Sequence, residues 1–235
     1  MVKMNIMFVI PAYNASKNLE ALASSLINQT DNRWSAVIID DISTDDTADI
    51  ASKLRSDKFT VIKNVEKKFA LRNIVETSRS FQECDDMVIA VIDGDDSLCN
   101  NEAVALLLDS YESGSDVVWT AHAWDINGLN ISKDMPGHVD PYMWPWCSSH
   151  LRSFKSSLLK NISDKNFQDT SGRWFERGYD QALMLPLLHI SQSRSFIDKV
   201  CYRYNINSVS IPYRDYEEMS QISTVNLVRS RGFLA

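Results

Sequence analysis

Residues 87–96 read Met-Val-Ile-Ala-Val-Ile-Asp-Gly-Asp-Asp. An uninterrupted apolar run of this length suits a strand buried on both faces, as strands of parallel sheets are. It ends in Asp93-Gly94-Asp95-Asp96, so three carboxylates stand at the strand's carboxyl end. That is where open α/β sheets bind their ligands.

The same grammar recurs on either side. Residues 5–10 (Asn-Ile-Met-Phe-Val-Ile) form a strand stopped by Pro11, and residues 34–39 (Trp-Ser-Ala-Val-Ile-Ile) one ending in Asp40-Asp41. Residues 59–63 and 116–120 read as further strands. Helices are expected between them. The first covers 17–28, capped by Ser16, with Leu19, Leu22, Ala23 and Leu26 on one face. The second covers 45–55, capped by Ser43 or Thr44, with Asp45 and Asp46 in its first turn. Two more are expected over 69–82 and 101–112. Strand–helix alternation predicts an α/β fold, a mostly parallel sheet with helices on both faces. Pro11–Asn14, Asp40–Asp45 and Asp93–Asp96 then share one mouth.

After residue 122 the rhythm changes. Residues 122–150 are rich in Trp and Pro, including Trp144 and Trp146. Helices are expected over 151–160 and 179–190, a strand over 196–204, and a polar tail over 212–235 carrying Arg214, Arg229 and Arg231. There is no internal repeat and no low-complexity linker. The reading is a single domain, 1–235, with a nucleotide half (1–120) and an acceptor half (121–235).

The bulk numbers narrow the classes. With 44% hydrophobic and 23% charged residues the chain has the composition of an ordinary globular domain. A net charge of -7 argues against a protein that lives on phosphate-backbone contacts. Cys84, Cys99, Cys147 and Cys201 make no CxxC pair, so a zinc knuckle is not expected and the thiols read as reduced. No apolar run approaches about 18 residues, and the N-terminus reads as a strand instead of a signal peptide. A cytoplasmic location is expected.

Two carboxylates one residue apart, straight after a buried strand, need something to neutralise them. Mg²⁺ or Mn²⁺ takes such oxygen ligands and shares them with substrate phosphates, while Gly94 lets a ligand approach the backbone. A turn or helix cap is the competing reading. Asp40 and Asp41 precede the capping residues and are not needed for capping, so a base N–H or ribose hydroxyl is one partner for them. Tyr13 is an aromatic that would stack on a base or simply pack.

Val-Ile-Pro-Ala-Tyr-Asn (9–14), Ile-Ile-Asp-Asp-Ile-Ser-Thr-Asp-Asp-Thr (38–47), Ala-Leu-Arg-Asn (70–73) and Val-Ile-Asp-Gly-Asp-Asp (91–96) occur in that order. Together they resemble the nucleotide-binding half of family 2 glycosyltransferases of the GT-A fold, a Rossmann-like sheet flanked by helices. The resemblance implies that Pro11 and Tyr13 flank the base, that Asp41 binds it (uracil, hence a UDP-sugar donor) and that Asp40 supports the loop. It implies Arg72 beside the base or diphosphate, Asp93 on the ribose or metal, and Asp95 as principal metal ligand, with Asp96 structural.

The family is typically inverting, and an acidic residue serves as general base. The family often carries a Glu-Asp pair where a helix opens in the second half. Here the matching stretch is Phe175-Glu176-Arg177-Gly178-Tyr179-Asp180, so Tyr179 stands where Glu is expected. Asp180 is the candidate base and Glu176 the runner-up, with a helix cap as the bland role for Asp180. His150 and Arg152 would lie near the donor sugar or phosphates, and Trp144 and Trp146 would stack on a sugar or fill the core. His122, His138 and His189 read as structural or surface residues. Arg229 and Arg231 belong to a solvated terminus or close over the diphosphate. The expected acceptor is a saccharide or lipid-linked glycan. A hydroxymethylated base in DNA is the alternative acceptor, and a non-catalytic nucleotide-sugar-binding module the alternative of another class. Nucleotidyl transfer ranks lower, because the loop after the first strand has no Gly.

Overall fold

Four parallel strands carry the first half of the chain: β1 (Asn5–Ala12), β2 (Trp34–Asp40), β3 (Phe59–Lys63) and β4 (Met87–Val91), in the spatial order β3-β2-β1-β4. The computed structural model describes residues 3–54, 56–206 and 214–235. Ile6, Phe8 and Ile10 of β1 point into one core and Met7 and Val9 into another. Helices α1 (Leu19–Ile27), α2 (Thr47–Lys53) and α4 (Ala103–Glu112) cover the first face. Helices α3 (Phe69–Arg79) and α5 (Tyr179–Ile190) cover the second. The continuous apolar runs are thus explained: both faces of each central strand are covered.

The second half completes a curled, mixed sheet. Strand β6 (Val117–Trp124) pairs antiparallel with β7 (Arg152–Lys155), which pairs antiparallel with β4. Strand β8 (Arg194–Tyr204) runs parallel to β6. Its far edge takes β5 (Ser97–Leu98), antiparallel, with Leu98 opposite Tyr202. The acidic loop 93–96 therefore connects β4, inside the sheet, to β5 at its edge.

Two sequence expectations change. Residues 151–160 are not one helix: the stretch opens as β7 and continues as a 3₁₀ turn over Ser156–Asn161. Leu151, Phe154 and Leu158 have helical spacing, but pairing with β4 and β6 overrides so weak a local preference. The tail is also not a loose terminus. Residues Arg214–Arg231 form α6, which packs on α5 and buries Val228. The side chain of Arg214 and residues 207–213 lie outside the described residues.

The expected caps also shift. Helices α1 and α2 begin after Asn18 and Asp46 without side-chain caps. Ser43 and Thr44 instead tie two site loops together. Ser43 Oγ accepts the Asn14 N–H at 3.0 Å, and the Thr44 N–H donates to Asn14 Oδ1 at 2.8 Å.

Candidate active site

Just past β2, Asp41 is 3% exposed and fully engaged by its own chain. Its carboxylate accepts the N–H groups of Lys68 and Phe69, both at 2.9 Å, and the Asn64 amide at 2.7 Å, while Lys67 Nζ lies 3.4 Å away. Burial alone would raise its pKa. The donors from Lys68, Asn64, Asn73 and Phe69 outweigh burial and hold it below the usual carboxylate range. Asp41 thus shapes the turn that leads into α3. Asp40 is buried too, and accepts the Ser43 N–H at 3.3 Å.

Tyr13 is 53% exposed, and Lys67 Nζ sits 3.0 Å from its ring centroid. A ring with one open face and a cation beside it suits stacking of a base. Arg72 pairs with Glu76 and Glu66, and Lys67, three residues ahead of the Ala-Leu-Arg-Asn motif, is the cation beside Tyr13. Asn14, Ile42 and Phe69 have φ of 52°, 60° and 59°. Left-handed backbone is uncommon outside Gly and a clear outlier for β-branched Ile42. All three residues border this end of the site.

The acidic loop is clamped from three sides. The Gly94 N–H donates to the Pro11 carbonyl at 3.1 Å, and a Cβ at Gly94 would meet Ala12 Cβ at 2.9 Å. The Asp95 carbonyl accepts the Asn18 amide at 2.6 Å. From β8, the Tyr202 hydroxyl accepts the Asp93 N–H at 3.1 Å and donates to Asp96 at 2.7 Å. The Asn205 N–H donates to the other Asp96 oxygen at 2.7 Å. Tyr202 and Asn205 were not singled out in the sequence, because contacts about 110 residues apart leave no local pattern. Asp95 is half-buried beside a cavity of about 320 Å³ that Lys17, Ser97 and Arg203 also line.

On the other side of the loop stands Arg152. The β4–β7 register sets it opposite Val91, so its guanidinium reaches Asp93 at 3.1 Å. It is 1% exposed and is the one buried Lys or Arg among the described residues. Burial disfavours its charge, but Tyr179, Asp93 and Asp180 reverse the balance and raise its pKa. Tyr179 opens α5 and donates to Asp93, so both Asp93 oxygens have partners. The residue that replaces the expected Glu thus holds the acidic loop directly.

Asp180 follows, half-buried in the first turn of α5. Burial and Asp93 raise its pKa, with Arg152 opposing. Asp96 is pushed up to about 9, by burial first and then by Asp93 and Asp95. Tyr204 is pushed up to about 12 by burial and by Asp93, Asp96, Asp95 and Asp180. Four carboxylates therefore act on one neighbourhood around one buried guanidinium. A hard dication suits that imbalance, and half-buried Asp95 is the carboxylate best placed to share it with an incoming phosphate.

The remaining candidates separate. His150 is buried and stacked on Tyr202 and Tyr204, at centroid distances of 4.6 and 5.0 Å. Glu176 is exposed. Trp144 and Trp146 are half-buried against the core on the α5 face. His122 is buried and meets Ser132 Oγ at 3.1 Å, His138 is exposed, and His189 stacks on Phe233. Arg229 bonds Gln181 and the Tyr142 and Trp144 carbonyls, and Arg231 bonds the Asn166 and Gln168 carbonyls. These bonds from both half-buried arginines dock α6 on the body of the fold.

A curled α/β sheet with a clamped acidic loop at a strand end is the architecture of GT-A glycosyltransferases. Solved structures of similar fold agree. S. aureus TarS 1-349 in complex with UDP-GlcNAc superposes with a TM-score of 0.66 at 20% identity, over 99% of this chain and 68% of that one. The mannosyltransferase PcManGT from Pyrobaculum calidifontis, in complex with GDP-Man and Mn²⁺, gives 0.59 at 13% identity, over 94% and 64%. In sequence, 59 residues are 37% identical to the Escherichia coli UDP-Glc:alpha-D-GlcNAc-diphosphoundecaprenol beta-1,3-glucosyltransferase WfaP, a match spanning 25% of this chain and 24% of that enzyme. Residues 7–186 match the profile of Glycosyl transferase family 2, and the chain belongs to that family.

Proposed function

We propose that the chain transfers a sugar from a UDP-sugar to a hydroxyl of a glycan or lipid-linked glycan, with inversion at the anomeric carbon. The carrying observation is Asp180, a carboxylate with a raised pKa in the first turn of α5, electrostatically joined to the acidic loop through Arg152 and Asp93. A raised pKa makes a carboxylate a better proton acceptor near neutral pH. Asp180 takes the acceptor's hydroxyl proton as the oxygen bonds to the anomeric carbon. The bond from that carbon to the diphosphate breaks on the opposite face, and UDP leaves.

Tyr13 and Lys67 receive the base, with Asp40 and Asp41 fixing the loop beneath it. Asp95 would hold Mn²⁺ or Mg²⁺, and such an ion would supply charge stabilisation to a diphosphate leaving group. Arg152 keeps Asp93 in place and limits the upward shift at Asp180. The UDP-GlcNAc bound in the TarS complex and the UDP-Glc in the E. coli relative's name support UDP, and the Mn²⁺ in the Pyrobaculum complex supports a dication. Among the described residues no helix is long and apolar enough to cross a membrane.

The test uses UDP-sugar hydrolysis, with water as the acceptor. Asp180→Asn is expected to lower turnover by about 10²–10⁴-fold, the range of general-base catalysis, with UDP affinity unchanged. Unchanged turnover would remove Asp180 from the role of base. Release of the sugar with retained anomeric configuration, read by NMR, would exclude inversion.

A further inference from the structure

The carboxyl ends of β6 and β8 carry an aromatic array that the proposed transfer leaves unused. The two strands run parallel, with His122 beside Tyr202 and Trp124 beside Tyr204. His150 stacks on both tyrosines, at centroid distances of 4.6 and 5.0 Å, and the Tyr204 and Trp124 rings lie 6.1 Å apart. Exposure rises along the array. Tyr202 is fully buried and His150 nearly so, while Tyr204 and Trp124 are half-buried.

Trp124 is the unusual member. Trp34 and Trp119 are core residues, and Trp144, Trp146 and Trp174 pack against a core, whereas Trp124 joins neither core among the described residues. An indole left half in water forgoes part of a large apolar burial. Its place is the mouth of the site. Asp125 and Asn205, which follow the two rings in the chain, line the cavity of about 320 Å³ beside Asp95. The charges of Asp95 and Asp180 both act on Tyr204. The open end of the array therefore lies within electrostatic reach of both the acidic loop and Asp180.

A pyranose matches such a surface. Its ring C–H groups form an apolar face that packs on an aromatic ring, while its hydroxyls stand at the rim and need polar partners there. We propose that Trp124, backed by Tyr204, is the platform on which the acceptor's sugar ring stacks. This assignment rests on the transfer reading above and gives its acceptor a seat: the ring lies on the indole, and one hydroxyl is turned towards Asp180.

The experiment titrates the full chain, with UDP and Mn²⁺ present, with the methyl glycosides of glucose, galactose and N-acetylglucosamine, read by saturation-transfer NMR. At least one glycoside should bind, with its ring C–H protons receiving most of the saturation. Trp124→Ala should weaken that binding by about tenfold, the loss expected for an aromatic contact and its area, and leave UDP-sugar affinity as in wild type. Retained UDP-sugar affinity also shows that the variant is folded. Trp124→Phe, which keeps a ring, should recover most of the binding. No glycoside bound by wild type, or equal affinity in Trp124→Ala, would overturn the platform. So would a fall in UDP-sugar affinity in Trp124→Ala, which would seat the donor's sugar there, or binding of hydroxymethyldeoxycytidine in place of the glycosides. UDP-sugar hydrolysis by wild type reports separately on the transfer reading. Hydrolysis without glycoside binding sinks the platform alone, and glycoside binding without hydrolysis sinks the transfer.

Discussion

Asp41 and Asp96 follow two strands that flank β1, and they are equally hidden, at 3% and 2% exposure. Yet their carboxyl groups shift in opposite directions. Asp41 falls below the usual range because backbone N–H groups and amides surround it. Asp96 rises to about 9, because burial and the charges of Asp93 and Asp95 outweigh Tyr202 and Asn205. One end of the cleft is satisfied by the chain itself. The other crowds acidic groups around one guanidinium, and the crowding drives Asp96 towards its neutral form. Rigidity and charge imbalance are thus assigned to opposite ends of one mouth.

After Asp180→Asn, the next largest expected effect removes Asp95 from the acidic end. Asp95→Asn should lower turnover by about 10²–10³-fold, the range for losing a preorganised electrostatic contact, and abolish the response of donor binding to Mn²⁺. Steady-state hydrolysis with and without Mn²⁺ reads both, and wild-type turnover would break the contrast at once.

At the satisfied end the main loss should be in folding. Asp41→Ala strands the N–H groups of Lys68 and Phe69 and the Asn64 amide. A destabilisation of about 3 kcal/mol is expected in urea unfolding, from hydrogen bonds to a charged group. A loss of UDP affinity with normal stability would instead make Asp41 a direct base ligand.

Gly94→Ala tests how tightly the acidic loop is seated. Its Cβ would lie 2.9 Å from Ala12 Cβ and 3.1 Å from the Pro11 carbonyl oxygen, neither of which is a flexible tip. Overpacking of this kind costs about 1–3 kcal/mol, and donor affinity should fall as the loop shifts. Wild-type stability and affinity would show a looser loop.

Acid should loosen the base end first. Asp45 is held at about 2; burial raises its pKa, but Ser16 and Thr47 donors prevail, and Asp41 is lowered as well. Groups depressed in the folded state stabilise it above their unfolded pKa of about 4, and this is lost as pH falls towards 2. Thermal melts from pH 6 to 2 should show a shallower acid limb in Asp45→Asn than in wild type. Parallel limbs would remove Asp45 from the account. The smallest effect concerns Ile42, whose φ of 60° suits Asn better than a β-branched residue. Ile42→Asn should gain about 1 kcal/mol, or about 2–4 °C in Tm. A lower Tm would show that the Ile side chain contributes more than the strain removes.

Much of the first half of the chain is legible because its signals are local. Apolar runs marked β1, β2 and β4, and polar clusters marked their carboxyl ends. The second half is harder. β7 reads as a helix because only its pairing with β4 and β6 makes it a strand. Arg152 was named for the site, but its bond to Asp93 follows from strand register, which no local pattern encodes. Tyr202 and Asn205 reach the acidic loop across the curl of the sheet. The motif around Arg72 likewise does not reveal its ion pairs with Glu66 and Glu76.

The measurement closest to the central claim is UDP binding by calorimetry to chelator-treated protein, with and without Mn²⁺. An imbalanced acidic loop should repel a bare diphosphate, so affinity should rise at least about tenfold with Mn²⁺, or 1.4 kcal/mol. Equal affinity in chelator and in Mn²⁺ would contradict the account, because the four carboxylates would then need no added cation to accept the phosphates.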